Sequence, residues 1–418
     1  MILSRIAKKL TRSNGIQSLM EDLGSAWSGD TENIAFLGGG NPARIPEAEA
    51  IYRKSVESIL TSGQSLESLL GDYTSPVGSD EIRRLTAEYL GKFFGATLQG
   101  NQIAFFNGSQ NAYSFLLNSF SGTMEDGSFR KILLPVVPEY IGYADQTWEE
   151  DVFFANLPIV ENIGTHRFRY KLNQESIPWE TIGCVALSRP TNPTGNIMNR
   201  EDVEWLYRES RKNNIPLLID LAYGNPFPNL IGEKEPIQWK PGMVLSLSFS
   251  KVGLPGVRLG IIIADPKIIS VLSSFAAVGN LAVGNWGQAL AKSFWKEDTL
   301  IRVSNHILRP YYANKLQIAL EIIEEIFAKY KVQYAIHEPE GGFFLWIHFP
   351  DLPISNKELY QTCKKENVYI VSGHYFFPGL NAQFSHTEKC IRLTYCRDRK
   401  EIARGAEIIA RIVSRTAK

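Results

Sequence analysis

Short apolar runs and longer amphipathic stretches alternate through the middle of the chain. Gln102–Phe106, Lys131–Leu134, Thr181–Leu187, Pro216–Ile219, Val244–Ser248 and Leu259–Ile263 are strand-sized and bounded by Gly, Pro, Asn or Asp. Such runs predict strands buried on both faces. Between them, Asn111–Phe120 and Arg200–Lys212 carry apolar residues at helical spacing. Strand and helix in alternation predict an α/β fold with a mainly parallel sheet. The texture changes near Arg309. A long helical pattern leads into EGGFFLWIHF, a helix near Asn356–Glu366, the runs VYIV and IRLTY, and a final helix. That order predicts a smaller α+β domain. The expected division is a large domain at 45–308 and a small one built from 1–44 and 309–418, with the N-terminal arm packing back. No internal repeat, low-complexity tract or linker interrupts the pattern.

Composition narrows the function. Of 418 residues, 44% are hydrophobic, enough for a large core. Lys plus Arg and Asp plus Glu both number 44, so there is no basic excess of the kind nucleic-acid binders show. Cys184, Cys363, Cys390 and Cys396 have no CxxC spacing, and the six histidines do not cluster with them at ligand spacing. Neither a disulfide scaffold nor a metal is expected. The N-terminus MILSRIAKKLTRSNG is basic but lacks a signal-peptide apolar run, and no run is long enough to span a bilayer. A neutral cytoplasmic enzyme or binding protein fits best, with no nucleic acid and no membrane among its partners.

The candidate chemistry sits at strand ends. In SLSFSKVGLPGVRLG, Lys251 follows a strand in a loop of small residues. Partial burial lowers a lysine's pKa towards that of an amine nucleophile able to bond a carbonyl cofactor. Taken alone it reads as a surface lysine beside a turn. In IPLLIDLAYGNPFP, Asp220 ends a buried strand, where α/β sheets place functional groups. It could hold a pyridinium nitrogen protonated, with Tyr223 reaching the same ligand; its plain role is a turn cap. In SRPTNPTGN, Asn192 is either a ligand donor or part of a turn. Gly108-Ser109-Gln110 opens a helix, which makes an anion cradle or an ordinary cap. Ser248 and Arg258 could add a hydroxyl and a guanidinium to it. Tyr140, in PVVPEYIGYAD, is a stacking ring or a core aromatic. Arg392, within CIRLTYC, needs an anionic partner if buried: a substrate carboxylate or a structural ion pair.

Asn192, Asp220, Lys251 and Arg392, in this order, resemble the fold-type-I aminotransferases of the aspartate aminotransferase superfamily. The resemblance implies a mainly parallel, seven-stranded type of sheet and pyridoxal 5'-phosphate as cofactor. Lys251 is then the Schiff-base lysine, Asp220 the pyridinium partner, and Asn192 with Tyr223 the partners of the phenolic oxygen. Ser109, Gln110, Ser248 and Arg258 bind phosphate, Tyr140 stacks, and Gly40 with Arg392 holds the substrate α-carboxylate. Tyr73, in DYTSPVG, matches a tyrosine that reaches the neighbouring subunit's phosphate, which implies a homodimer. Lys251 and Arg258 stand one residue closer together than in many relatives. Within the superfamily, LTRSNGIQSLMEDL, LGGGNPARIPE, PEYIGYAD, SRPTNPTGN, SKVGLPGVRLGIIIA and GHYFFPGL resemble the valine–pyruvate aminotransferases. That implies amino transfer between valine or alanine and pyruvate or 3-methyl-2-oxobutanoate. The side-chain pocket would be built by the N-terminal arm, Tyr73 and the Tyr375–Phe377 loop. Competing readings are an aromatic aminotransferase, a β-lyase or an aminocyclopropane-carboxylate synthase on the same scaffold. A cofactor-binding regulator would need a DNA-binding extension, and none is visible.

Overall fold

The predicted strands assemble into one mixed sheet whose carboxyl ends collect the candidate residues. The computed structural model describes residues 2–11, Gly15, Glu21, 34–61, 66–175, 177–231 and 236–416. Most of LTRSNGIQSLMEDL lies outside the described residues. Along the sheet the strands run 103–106, 260–263, 243–248, 217–220, 182–188, 129–134 and 122–123, with 153–155 pairing on 129–134 off this path. Strands 243–248, 217–220, 182–188, 129–134 and 153–155 pair in parallel. Strand 260–263 runs against both its neighbours. The central strands are almost continuously buried, as strands covered by helices on both faces must be.

Register turns this sheet into a platform. Ser188 and Ser246 are both Cα partners of Asp220, so three polar residues form one row across adjacent strands. Gly260 lies between Ser248 and Phe106 in the next two strands. A side chain there has no room: a Cβ would stand 2.4 Å from the Ser109 backbone nitrogen. The bare glycine lets the turn before helix Ser109–Phe120 lie against the sheet.

The second sheet has the order 371–372, 390–394, 344–348, 335–337, 167–171 and 159–162. Its last two strands form a ribbon contributed from the middle of the chain, and Ile336 pairs with Arg167. Trp346 faces Arg392 across two neighbouring strands. Ala35–Phe36 pairs in parallel with Val368–Tyr369. Helices Arg309–Lys329 and Arg399–Thr416 bury apolar faces that include Ile322, Ile323, Ile409 and Ile412. No described helix is long and apolar enough to cross a membrane.

Gly260→Ala is expected to destabilise the chain by about 1–3 kcal/mol, because the clash is with backbone and not with a flexible side chain. A lowered denaturation midpoint, with the anion cradle disturbed, is the outcome to look for. An unchanged midpoint would show that the turn can move aside at little cost.

Candidate active site

A cavity of about 500 Å³ opens at the carboxyl ends of the central strands, between the first sheet and the segment 36–41. Gly40, Ser109, Gln110, Tyr140, Asn192, Asp220, Tyr223, Ser248, Lys251, Arg258 and Arg392 all line it. Gly108 lies just behind the wall, and a Cβ on it would stand 2.2 Å from Arg258 Nη2. Its φ of 91° also favours glycine. The predicted Tyr375–Phe377 loop is not part of the cavity lining, and neither is Tyr73, which is 83% exposed.

Lys251 sits on a short 3₁₀ turn, Ser250–Val252, directly after strand Met243–Ser248. Its amine donates to the Gly40 carbonyl at 2.9 Å and lies 5.4 Å from the centre of the Tyr223 ring. Burial, and then the nearby Arg392 cation, lower its pKa to about 8. At neutral pH a usable fraction is therefore neutral amine.

Asp220 is buried at its strand end. Its Oδ1 accepts from the Ala222 N–H at 2.9 Å and from Ser246 Oγ at 3.5 Å, and its Oδ2 accepts from the Tyr143 hydroxyl at 3.3 Å. Burial raises its pKa to about 6, although each of these donors works in the other direction. A cation placed at this carboxylate would relieve that strain.

Arg392 is 2% exposed. It donates from Nη1 to Asn192 Oδ1 at 2.9 Å and from Nη2 to the Gly38 carbonyl at 2.7 Å. Its guanidinium lies 4.0 Å from the centre of the Phe344 ring, and its Nε has no partner. Burial lowers its pKa to about 10. It remains a cation without a carboxylate partner among the described residues.

At the other end, helix Ser109–Phe120 begins with no side-chain cap, and its first residues face the cavity beside Ser248, Ser250 and Arg258. Donors of this kind, at a helix start with an adjacent guanidinium, suit a phosphate. Tyr140 donates to Gln110 Oε1 at 3.1 Å and meets Tyr143 edge-on at 5.3 Å.

The sequence reading missed several residues of this site. Tyr143 holds Asp220 and stacks on Tyr113 at 5.0 Å. Glu139, fully buried, accepts from the backbone N–H and hydroxyl of Ser188, and Ser188 Oγ in turn accepts from the Asn192 N–H at 3.3 Å. Phe36 and Ile141 supply apolar wall. Glu139 and Tyr143 flank Tyr140 in PEYIGYAD, and a polar residue so close to a stacking ring was the available signal.

Residues 169–409 match the family of class I and II aminotransferases. The chain belongs to that family. This aminotransferase is 39% identical to the valine–pyruvate aminotransferase of Escherichia coli K12 over 99% of both chains. It is 30% identical to the 2-aminoadipate transaminase of Thermus thermophilus, over 90% of this chain and 89% of that one. The crystal structure of valine–pyruvate aminotransferase AvtA from Salmonella typhimurium LT2 superposes with a TM-score of 0.86. It covers 96% of this chain and 99% of that one, at 36% identity. The mainly parallel sheet and the aminotransferase activity expected from the sequence are thereby established.

Asp220 sets a pH signature. Its folded pKa of about 6 lies above the unfolded value of about 3.9. The native state therefore binds the extra proton, and stability falls as pH rises from about 4 to 6. Asp220→Asn in the ligand-free chain should gain on wild type across that window, by roughly 2–3 kcal/mol at neutral pH. Unfolding midpoints of both proteins at pH 4 and pH 7.5 give the comparison, and a pH-independent difference would contradict the raised pKa.

Proposed function

We propose that this aminotransferase moves an amino group between small aliphatic L-amino acids, valine and alanine, and 2-oxo acids such as pyruvate and 3-methyl-2-oxobutanoate, with pyridoxal 5'-phosphate as cofactor. The observation that carries the reading is the pairing of a low-pKa lysine and a carboxylate-free buried arginine in one cavity. The similarity to the Escherichia coli protein, which spans both chains almost entirely, supports the substrates.

The residues present fit the cofactor. Lys251 would bond its aldehyde carbon, Asp220 would pair with the pyridine nitrogen, and Asn192 and Tyr223 would meet its phenolic oxygen. Gly108, Ser109, Gln110, Ser248 and Arg258 would hold the phosphate, and Tyr140 would cover the ring. The room Gly108 gives the Arg258 guanidinium at the cradle and the carboxylate strain at Asp220 favour this assignment. When bound, the cofactor supplies an electron sink for the carbanion formed at the substrate Cα.

Arg392, anchored on the Gly38 carbonyl, would grip the α-carboxylate, its guanidinium matching that group, with Gly40 nearby in the cavity lining. That grip fixes the Cα–H bond relative to Lys251. The Lys251 amine would take the proton from the substrate Cα as base and give a proton back as acid. The Tyr143 hydroxyl and the Ala222 N–H keep Asp220 oriented throughout.

Phe36 and Ile141 line the cavity, and Gly15 of the N-terminal arm lies so near Ile141 and Tyr375 that a Cβ would come within 2.4 Å and 2.7 Å of them. An apolar wall of this kind separates neighbouring aliphatic side chains by only about 1–3 kcal/mol per methylene. Overlap among aliphatic substrates follows. Tyr73 stands out on a surface that also exposes Leu70, Val278 and Leu281, and the reading assigns that surface to a homodimer in which Tyr73 serves the partner's site. It also keeps a cofactor-binding unit within 45–308 and a closing unit from 1–44 and 309–418, to which the 159–171 ribbon adds two strands. The cytoplasm is the compartment proposed.

Absorbance of the purified protein, recorded before and after L-valine and then pyruvate, tests the reading. A long-wavelength band that shifts with valine and returns with pyruvate is expected. A band that ignores valine and answers an aromatic or acidic amino acid would overturn the substrate while leaving the cofactor. Lys251→Ala should abolish turnover, and near-normal turnover would remove Lys251 from its role.

A further inference from the structure

Segment 35–43 runs from its pairing with Val368–Tyr369 to the cavity, and its hydrogen bonds show what fixes it. The Ala35 N–H donates to Asn367 O at 2.9 Å, and Leu37 O accepts from the Thr394 N–H at 2.8 Å. Gly38 O accepts from Arg392 and Gly40 O from Lys251. The Ala43 N–H donates to the Tyr312 hydroxyl at 2.9 Å. From Gly38 to Gly40 the segment is all glycine, so it has no side chains to hold its own shape.

Phe36, just upstream, is gripped on every side. Its N–H donates to Glu401 Oε1 at 2.7 Å, and its carbonyl accepts from Arg397 Nε at 3.0 Å. The Arg397 guanidinium lies 5.4 Å from the centre of the Phe36 ring, which also meets the Tyr369 ring at 5.5 Å. Arg397 and Glu401 approach each other at 3.7 Å. Both are themselves held: Lys315 donates to the Arg397 carbonyl at 2.8 Å, and the Glu401 N–H donates to Asp398 Oδ1 at 2.8 Å. A surface pair that only bridged two helical positions would contribute little. This pair instead meets both backbone groups of a residue that lines the cavity.

We propose that Arg397 and Glu401 are positioning residues for substrate binding, setting the Phe36 wall and the glycine carbonyls against which Arg392 receives a carboxylate. The amino acid and the 2-oxo acid share that carboxylate, so the clamp acts equally on both. The proposal rests on the reading of Arg392 and Gly40 as the carboxylate-binding groups.

The test uses the cofactor-loaded enzyme and whichever aliphatic amino acid the wild type accepts. Glu401→Leu and Arg397→Met should raise KM for amino donor and oxo acid by a similar factor, about ten-fold, with kcat nearly kept. Glu401→Gln, which keeps an acceptor for the Phe36 N–H, should restore most of the KM. Arg397→Met answers the question if Glu401→Leu does not fold. Unchanged KM values, or a fall in kcat and thermal midpoint without a KM effect, would overturn the clamp. Arg392→Lys, assayed alongside, separates the two ideas. A KM rise in R392K without one in the clamp variants overturns the clamp alone, whereas no change in R392K overturns the carboxylate reading and the clamp with it.

Discussion

Three cations line one cavity, and among the described residues neither Lys251 nor Arg392 has a carboxylate within ion-pair distance. Lys251 is held by a carbonyl, and Arg392 by an amide oxygen, a carbonyl and the faces of Phe344 and Phe376. Neutral dipoles and ring faces compensate a buried charge only in part. The cost shows in both groups, since burial lowers each pKa and Arg392 lowers that of Lys251 further. A buried arginine satisfied by its own carboxylate would be inert towards ligands. This one is poised for an anion that arrives from outside, and its unpartnered Nε is part of that readiness.

The opposite wall carries the negative side of the same arrangement. Asp220 and Glu139 are both buried and both pushed up by burial, and the charge on Asp220 raises Glu139 further. Glu139 is reached by Ser188 and Asp220 by Tyr143, so hydrogen-bond donors supply what solvent would have given. Lys251 and Arg392 are thus held by neutral acceptors and stay out of ion-pair contact with either carboxyl. Separating the charges in this way keeps Lys251 from being neutralised by a tight ion pair, which would raise its pKa and spoil it as a base.

Much of this was legible in the sequence because strand ends are local. Asp220, Ser248 and Lys251 stand at or just past apolar runs that only buried strands explain, and the order of Asn192, Asp220, Lys251 and Arg392 tied them together. Direction and partnership were not legible. The four residues of 260–263 read as the same apolar run whichever way they point, and their antiparallel course is set by neighbours at Ser248 and Phe106. The 159–171 ribbon mixes charge with apolar residues, and its partner strand, at Ile336, lies far along the chain. Tyr143 looked like any core aromatic, and its role depends on a contact with Asp220 that no spacing encodes. Nothing in the spacing around Arg397 and Glu401 points to their partner, Phe36, at the other end of the chain.

The path from Lys251 to Arg258 ends on a strained backbone. The chain must turn sharply after Lys251 for Arg258 to reach the anion cradle. Two short 3₁₀ turns, Ser250–Val252 and Pro255–Val257, take up most of the path. Arg258 then adopts a left-handed backbone with φ 52°, a conformation that costs a non-glycine residue of order 1–3 kcal/mol. Its guanidinium donates to the Asn107 carbonyl at 3.3 Å and occupies the space a side chain at Gly108 would need. Strain at one residue and the absence of a side chain at another are therefore a single adaptation. A longer loop could deliver the same charge without the strained backbone. Here it reaches the cavity because Gly108, which also opens the helix at the cradle, leaves room for it.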